Sequence, residues 1–127
     1  MTRGDGFRLT QIGQISLRAT DLDRAVPFYR DVLGLELLFQ FPPLAFFRCG
    51  DVRLMLGPSE KGEFDHPGSI LYYKVDDIHE AHRVLGERGA RFRDEPHLIH
   101  RAADHELWMT FLDDPEGNTL AIMSEKR

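Results

Sequence analysis

The hydrophobic pattern of the chain occurs twice. Residues 15–25 (ISLRATDLDRA) align without a gap with residues 71–81 (LYYKVDDIHEA), and each stretch begins with alternating apolar and polar residues. Alternation with a period of two predicts a half-buried strand, and the apolar residues that follow recur at helical spacing. An aspartate suited to N-capping precedes each predicted helix, at Asp21 and Asp77, and a glycine follows each. Each half therefore predicts a strand followed by an amphipathic helix.

Short β-like runs follow each predicted helix. Turns are expected at Pro42-Pro43, at Gly50-Asp51 and in the sequence DDPEGN at 113–118. Pro27 lies early in the first helix and is expected to loosen its first turn rather than end it. The predicted runs are residues 35–41, 44–49, 52–56, 90–93, 107–112 and 119–123. The sequence therefore predicts an α+β fold of two βαβββ modules in tandem.

Length and composition narrow the class of protein. The 127 residues suit a single domain, with module one at about 12–57, a Gly- and Pro-rich linker at about 58–68 and module two at about 69–124. The net charge of −5, with no basic block, disfavours nucleic acid or an anionic membrane as partner. Cys49 is the single cysteine, so no intrachain disulfide is expected, and no apolar run has the length of a signal peptide or membrane span. These features predict a soluble, cytoplasmic protein.

On four motifs the chain resembles the vicinal oxygen chelate superfamily, of the glyoxalase, bleomycin resistance protein and extradiol dioxygenase type. The motifs are ISLRATDLDRA, Phe28-Tyr29 followed by VLGL at 32–35, YKVDD at 73–77 and FLDDPEGN at 111–118, and the resemblance spans about residues 12–124. It implies that the paired modules build a curved, cup-like mixed sheet with the helices on its outer face. It also implies a small ligand in the cup and a homodimer.

The same resemblance locates four metal-ligand positions, one on the first and one on the last strand of each module. They correspond here to Gln14, Leu54, Ile70 and Ala121. Gln is an accepted ligand in some glyoxalases, but the three apolar side chains have no lone pair to donate to a metal ion. A shift of one residue does not restore a ligand set, since it brings in Arg53, Met55, Ser69, Leu71, Leu120 and Ile122. We therefore expect no metal and no other cofactor in the cup.

Strand periodicity predicts which side chains share the cup face. That face has an apolar floor with a few polar groups, as small-molecule pockets have. Tyr72 is expected to stack on a ligand or to pack, Arg18 and Lys74 to meet an anionic group or solvent, and Gln14 to orient a carbonyl or to form a satisfied edge amide. Trp108 and the phenylalanines 39, 41, 46 and 47 fit either the core or the pocket wall. The face comprises Gln14, Ser16, Arg18, Val52, Leu54, Leu56, Ile70, Tyr72, Lys74, Thr119, Ala121 and Met123, and Trp108 joins the candidate ligand contacts.

Three of the six histidines lie in residues 95–108, a segment whose counterpart in the first half is only the Pro42-Pro43 turn. A long loop present in one half alone is a common location for functional residues. His97, a candidate ligand contact, and His100 and His105, the candidate catalytic residues, can bind a metal or transfer protons near neutral pH. His82, on the inner face of the second helix, is expected to be a packing residue.

Three functions follow as hypotheses. The leading one is binding of a small organic molecule in the cup without the usual metal-ligand set, either as sequestration of the bleomycin-resistance kind or with metal-independent chemistry. The alternative is a lyase, isomerase or oxygenase whose divalent metal or acid–base group has moved to Gln14 and the His97–His105 segment. The third is a structural dimerisation module.

Overall fold

A computed structural model of the chain describes residues 6–8, 10–58 and 70–126. The predicted linker, apart from Pro58, lies outside the described residues, as does His66. The α+β class and the tandem modules are confirmed, and the strands form two mixed sheets, one in each module. Among the described residues, no helix has the length and apolar character needed to span a bilayer.

Module one consists of β1 (Gln14–Arg18), α1 (Leu22–Pro27), a π-helical turn (Phe28–Val32), β2 (Glu36–Phe41), β3 (Leu44–Cys49) and β4 (Val52–Gly57). Its four strands form one sheet in the order β1-β4-β3-β2. Strands β1 and β4 are parallel, and the other neighbours are antiparallel.

Pro27 changes the hydrogen bonding of the first helix. A proline has no N–H to donate to the preceding turn. The chain continues past Pro27 with the wider spacing of a π-helix, in which the Leu33 N–H donates to the Phe28 carbonyl at 3.0 Å. The expected loosening of the first turn is wrong, since the Ala25 N–H still donates to the Asp21 carbonyl at 3.0 Å. The α-helix instead ends at Pro27, and the helix type changes directly after the proline.

Module two has one strand more than the sequence predicts. The segment containing His97 and His100, expected to be a loop, is a strand that pairs antiparallel with β8 and has an irregularity between Leu98 and His100. The consecutive aliphatic residues Leu98 and Ile99 favour extended structure, but they do not alternate with polar residues and so hide the strand from a period-two search. The elements are β5 (Leu71–Lys74), α2 (Ile78–Glu87), β6 (Arg91–Phe92), β7 (His97–Arg101), β8 (Glu106–Asp113) and β9 (Thr119–Lys126).

One hydrophobic cluster contains residues of both modules. Each sheet turns one face toward the helices, and these faces pack together with the inner sides of α1 and α2. Its buried members include Leu17, Ala25, Tyr29, Phe47, Leu54, Leu56, Ile78, Leu85, Leu112, Leu120 and Ile122. The opposite faces of the sheets stay available for other contacts.

The turn at residues 113–118 joins the two modules through hydrogen bonds. Its Asp114 accepts a hydrogen bond of 2.7 Å from the Tyr29 hydroxyl, and Asn118 Nδ2 donates to the Arg18 carbonyl at 3.0 Å. Glu116 accepts hydrogen bonds of 2.9 Å from the backbone N–H groups of Thr20 and Asp21. The start of α1 is therefore held from module two.

The two predicted helix caps differ in the structure. Asp77 accepts from the His79 and Glu80 N–H groups at 3.1 Å and caps α2 as expected. Asp21 precedes α1 but makes no side-chain cap hydrogen bond. The carboxylate of Glu116 binds the chain at this end instead, an interaction between positions distant in sequence.

Candidate functional site

The strand register assigns each side chain of module one to a face. Ile15 and Leu17 of β1 turn toward the helices, so Gln14, Ser16 and Arg18 point the other way. We call the face directed away from the helices the open face. Cross-strand pairing adds Arg53 and Met55 of β4, Leu44, Phe46 and Arg48 of β3, and Phe39 and Phe41 of β2 to this face.

The expected placement of Leu54 is wrong. Leu54 pairs with Ile15, is 2% exposed and lies in the core, and Val52 and Leu56 share its parity. The residue on the open face is Met55, which pairs with Ser16 as Ala121 pairs with Tyr72 in module two. The run Leu54-Met55-Leu56 is apolar on both faces, so its periodicity carries no information about which side is inward.

The open face of module two contains the other predicted strand residues. Tyr72 and Lys74 alternate along β5, Ile70 directly precedes this strand, and Ala121 and Met123 lie beside Tyr72 and Lys74. Ala121 is fully buried between its cross-strand neighbours Tyr72 and Phe111, whose rings meet edge to face at 6.2 Å. Leu107 and Met109 of β8 and Thr119 of β9 complete the same face. The ligand-binding role of these residues stays a prediction.

Trp108 lies on the helix-covered face and not on the open face. It pairs with Ser124, and its ring centroid is 5.3 Å from that of His79 on α2. Its Nε1 donates to Glu106 at 3.0 Å, and the Lys126 ammonium lies 5.1 Å from the ring centroid. Of the two placements that the sequence allows for Trp108, core and pocket wall, the structure shows packing against a helix.

The histidines of residues 95–108 lie at one end of module two with separate partners. His97 and His100 are on the open face, across from Met109 and Leu107. His97 Nδ1 is 2.9 Å from the Glu95 carbonyl, and His105 Nδ1 is 2.8 Å from the Asp104 carboxylate. The hydrogen bond from His105 holds the pKa of Asp104 below its ordinary range.

Asp94 organises the backbone around this histidine segment. Its carboxylate accepts hydrogen bonds from the Thr110 hydroxyl at 2.8 Å and the Phe111 N–H at 2.9 Å. Burial opposes ionisation, but these hydrogen bonds outweigh it and lower the pKa of Asp94. His82 contacts the Asp94 carbonyl at 3.3 Å and packs its ring 4.2 Å from Phe92, as expected of a packing residue.

The side chains at the metal-ligand positions do not fit a metal. Those positions hold Gln14, Met55, Ile70 and Ala121, and Gln14 Oε1 already accepts a hydrogen bond of 2.8 Å from Arg53 Nε. A thioether and one amide are a poor donor set for the divalent cations that imidazole and carboxylate ligands hold. Among residues 6–8, 10–58 and 70–126, no group of three or more His, Cys, Asp or Glu side chains is arranged to hold a metal ion.

Aromatic rings and an arginine form the most distinctive part of the open face of module one. Phe39 and Phe41 are 45% and 52% exposed, and their rings lie nearly parallel with centroids 5.8 Å apart. Phe39 also stacks on Phe46 at 4.6 Å. The Arg53 guanidinium lies 5.3 Å from the centroid of the Phe46 ring. The sequence does not assign these phenylalanines to a face, and its strand parity predicts that Arg53 and Met55 lie off the cup face, which the pairing of β4 with β1 shows to be wrong.

A concave surface lies on the helix-covered side. This groove, of about 390 Å³, runs between the end of the first helix and α2, with Asp77 and Glu80 among its lining residues. Its other walls are almost entirely apolar and are formed by Leu33, Leu35, Tyr73, Val75, Ala81, Val84, Leu85 and Ile122. It offers far fewer polar groups for orienting a ligand than the open faces do.

The fold agrees with the comparisons to known proteins. The model of the Glyoxalase/Bleomycin resistance protein/Dioxygenase superfamily matches residues 11–122, and the chain belongs to this superfamily. A glyoxylase-like domain-containing protein of Didymella fabae is 27% identical over 122 residues, which are 88% of this chain and 91% of that protein.

Solved structures of similar fold carry different functional descriptions. The lactoylglutathione lyase of Agrobacterium tumefaciens is 26% identical with a TM-score of 0.70, covering 92% of this chain and 95% of the other. TnmS3, an antibiotic binding protein from Streptomyces sp. CB03234, is 22% identical with a TM-score of 0.73, covering 93% and 98%. The fold is therefore common to a described lyase and a described binding protein.

Proposed function

We propose that the protein binds a small organic molecule on the open faces of its sheets, without the metal-ligand set of the metal-dependent members of its superfamily. The observation that carries the proposal is the exposure of large apolar side chains on these faces. Phe39, Phe41, Ile70 and Tyr72 are each at least 40% exposed there. Exposed apolar groups beside a few convergent polar ones are typical of ligand sites.

The methionines support the same proposal. Met55, Met109 and Met123, three of the four in the chain, lie on the open faces. Unbranched, polarisable methionine side chains adapt to the shapes of different ligands and are common on surfaces that bind several partners. A position held by Met55 or Ala121 favours apolar contact over coordination.

The relatives support binding of small molecules more strongly than any one reaction. One similar structure is described as a lyase and another as an antibiotic binding protein. The four metal-ligand positions, held by Gln14, Met55, Ile70 and Ala121, lack the carboxylate and imidazole ligands on which metal-dependent chemistry depends. Sequestration of an organic compound therefore fits these residues better than metal-assisted lyase chemistry.

A homodimer is part of the proposal. In the described part of the chain, β1 and β5 are terminal strands of their sheets, with free pairing edges beside the open faces. A second copy of the chain can cover these edges and close a pocket over an open face. Light scattering after size exclusion should give twice the mass of the 127-residue chain, and a monomer would remove this part of the proposal.

A ligand screen with paired variants tests the binding function. Saturation-transfer NMR with a library of small organic compounds, in buffer with a chelator, should yield saturable binders. Tyr72→Asp or Phe39→Asp should weaken them, whereas Ile12→Asp, which changes an exposed apolar residue outside the sheets, should not. No binders across the library, with a stable dimer, would instead support the structural dimerisation module.

A further inference from the structure

We infer that the open face of module one selects flat aromatic molecules that carry an anionic group, such as aromatic carboxylates. The inference rests on the proposed function and names its ligand class. It depends on two features of this face, a set of exposed stacked rings and an excess of guanidinium groups.

The rings form a shelf on which a further ring can stack. Phe39, Phe41 and Phe46 have centroids 4.6 to 5.8 Å apart, and the planes of Phe39 and Phe41 differ by 6°. Phe46 is 7% exposed and forms the base, while about half the surface of Phe39 and Phe41 faces outward. Stacked and offset arrangements at such distances stabilise aromatic pairs beyond simple burial, so this shelf favours planar π systems over aliphatic ones.

The charge beside the shelf is positive. Arg48 and Arg53 lie on this face; Glu36, 3.3 Å from Arg48, opposes one of them, and Arg53 is hydrogen-bonded to the neutral Gln14. Since the chain as a whole has a net charge of −5, this local excess of guanidinium groups stands against the overall charge. An approaching anion is therefore attracted to the guanidinium of Arg53 beside the rings.

Arg53 is oriented for an anion attached to a stacked ring. Its Nε donates to Gln14 at 2.8 Å, which fixes the guanidinium plane, and the guanidinium lies 5.3 Å from the Phe46 centroid. The terminal NH groups of a guanidinium held in this way can donate to a carboxylate as a pair. A ring on Phe39 and Phe41 therefore brings its acidic group toward Arg53.

The test compares three probes of similar size by isothermal titration calorimetry in chelator-containing buffer. 2-Naphthoate has both features, decahydro-2-naphthoate keeps only the charge, and 2-naphthylmethylammonium keeps only the ring. We expect 2-naphthoate to bind at least about tenfold more tightly than the ammonium probe, the factor that corresponds to one charge-assisted hydrogen bond, and about two- to tenfold more tightly than decahydro-2-naphthoate, the factor that corresponds to one aromatic pair. Equal affinity of either analogue would overturn the inference.

Variants locate the binding. Arg53→Met should weaken 2-naphthoate about tenfold or more, Arg53→Lys should keep part of the affinity, and Phe39→Leu should weaken it about two- to tenfold. Arg30→Met and Phe7→Leu, matched changes at a helix surface and near the N-terminus, should leave affinity unchanged. Unchanged affinity in correctly folded Arg53→Met and Phe39→Leu, checked by circular dichroism, would contradict the inference.

Different results would contradict the proposed ligand class and the proposed binding function. If 2-naphthoate does not bind but other library compounds bind the open faces, the ligand class is wrong and the proposed function stands. If no compound binds at all, both are wrong.

Discussion

The hydrogen bond between Tyr29 and Asp114 gives the sharpest test of how the modules are joined. Tyr29 is fully buried, and its hydroxyl donates to an Asp114 carboxylate that is itself 6% exposed. Burial and then the charge of Asp114 raise the pKa of Tyr29 far above its ordinary value, so the phenol keeps its proton and acts as donor. Tyr29→Phe removes this donor and leaves the ring in place.

The expected loss of stability depends on the hydrogen bonds that Asp114 still accepts in Tyr29→Phe. Its carboxylate still accepts from the Glu116 and Asn118 N–H groups and from Asn118 Nδ2, at 2.7 to 2.9 Å. A hydrogen bond to a buried charge contributes about 1.5 to 3 kcal/mol, and the three remaining donors place the loss near the lower end, at about 1.5 to 2 kcal/mol. The free energy of unfolding should fall by this amount.

Urea unfolding, followed by far-ultraviolet circular dichroism at one fixed protein concentration, measures the effect. Tyr72→Phe is the matched control, because Tyr72 is 46% exposed on the open face, and its change should stay within about 0.5 kcal/mol. An unfolding midpoint of Tyr29→Phe equal to that of the wild type would refute the reasoning that this hydrogen bond stabilises the contact between modules.

Three further predictions test the register, the electrostatics and the metal. In urea titrations, Leu54→Ala should lower the free energy of unfolding by about 2 to 5 kcal/mol, and Met55→Ala should lower it by less than about 1 kcal/mol. A larger loss for Met55→Ala than for Leu54→Ala would contradict the strand register. Burial raises the pKa of Glu116, but the N–H groups of Thr20 and Asp21 outweigh it and lower the pKa below the ordinary value of 4.5. The stability that ionised Glu116 contributes is therefore complete above about pH 4.5 and is lost as the pH falls through the lowered pKa. Below about pH 4.5, the melting temperature of Glu116→Gln should therefore depend less on pH than that of the wild type. Parallel melting curves for the two proteins would contradict this electrostatic prediction. A chelator should leave the melting temperature unchanged, and mass spectrometry should find no stoichiometric metal; one ion per chain would show that the donor set has been misjudged.

Most of the fold was predictable from local sequence patterns, because the same order of patterns occurs in both halves of the chain. The alternating run before Asp77 and the helical spacing after it are short-range features, and the same order occurs in both halves. Asp77 caps its helix as predicted, since an N-cap is an interaction within one turn. The role of Glu116 at the start of α1 depends on a contact between positions 95 residues apart, which no local pattern reveals.

The candidate site is harder to predict where a strand is apolar on both faces. In Leu54-Met55-Leu56 the inward side is decided by pairing with β1, and the sequence alone does not specify that register. Phe39 and Phe46 are neighbours only through the β2–β3 pairing, so the aromatic shelf has no linear signature. The open face of β5 was predictable, since the exposed Tyr72 and Lys74 alternate with the half-buried Leu71 and Tyr73.

The methionine methyl groups allow the most direct test of binding on the open faces. With ¹³C-methyl methionine, the assigned signals of Met55, Met109 and Met123 can be followed in the presence of a chelator while the strongest organic binder is titrated. The account predicts saturable shifts of at least one of these signals at the same dissociation constant that calorimetry gives. Unmoved methyl signals during saturable binding, or shifts that appear only after a divalent metal is added, would contradict it.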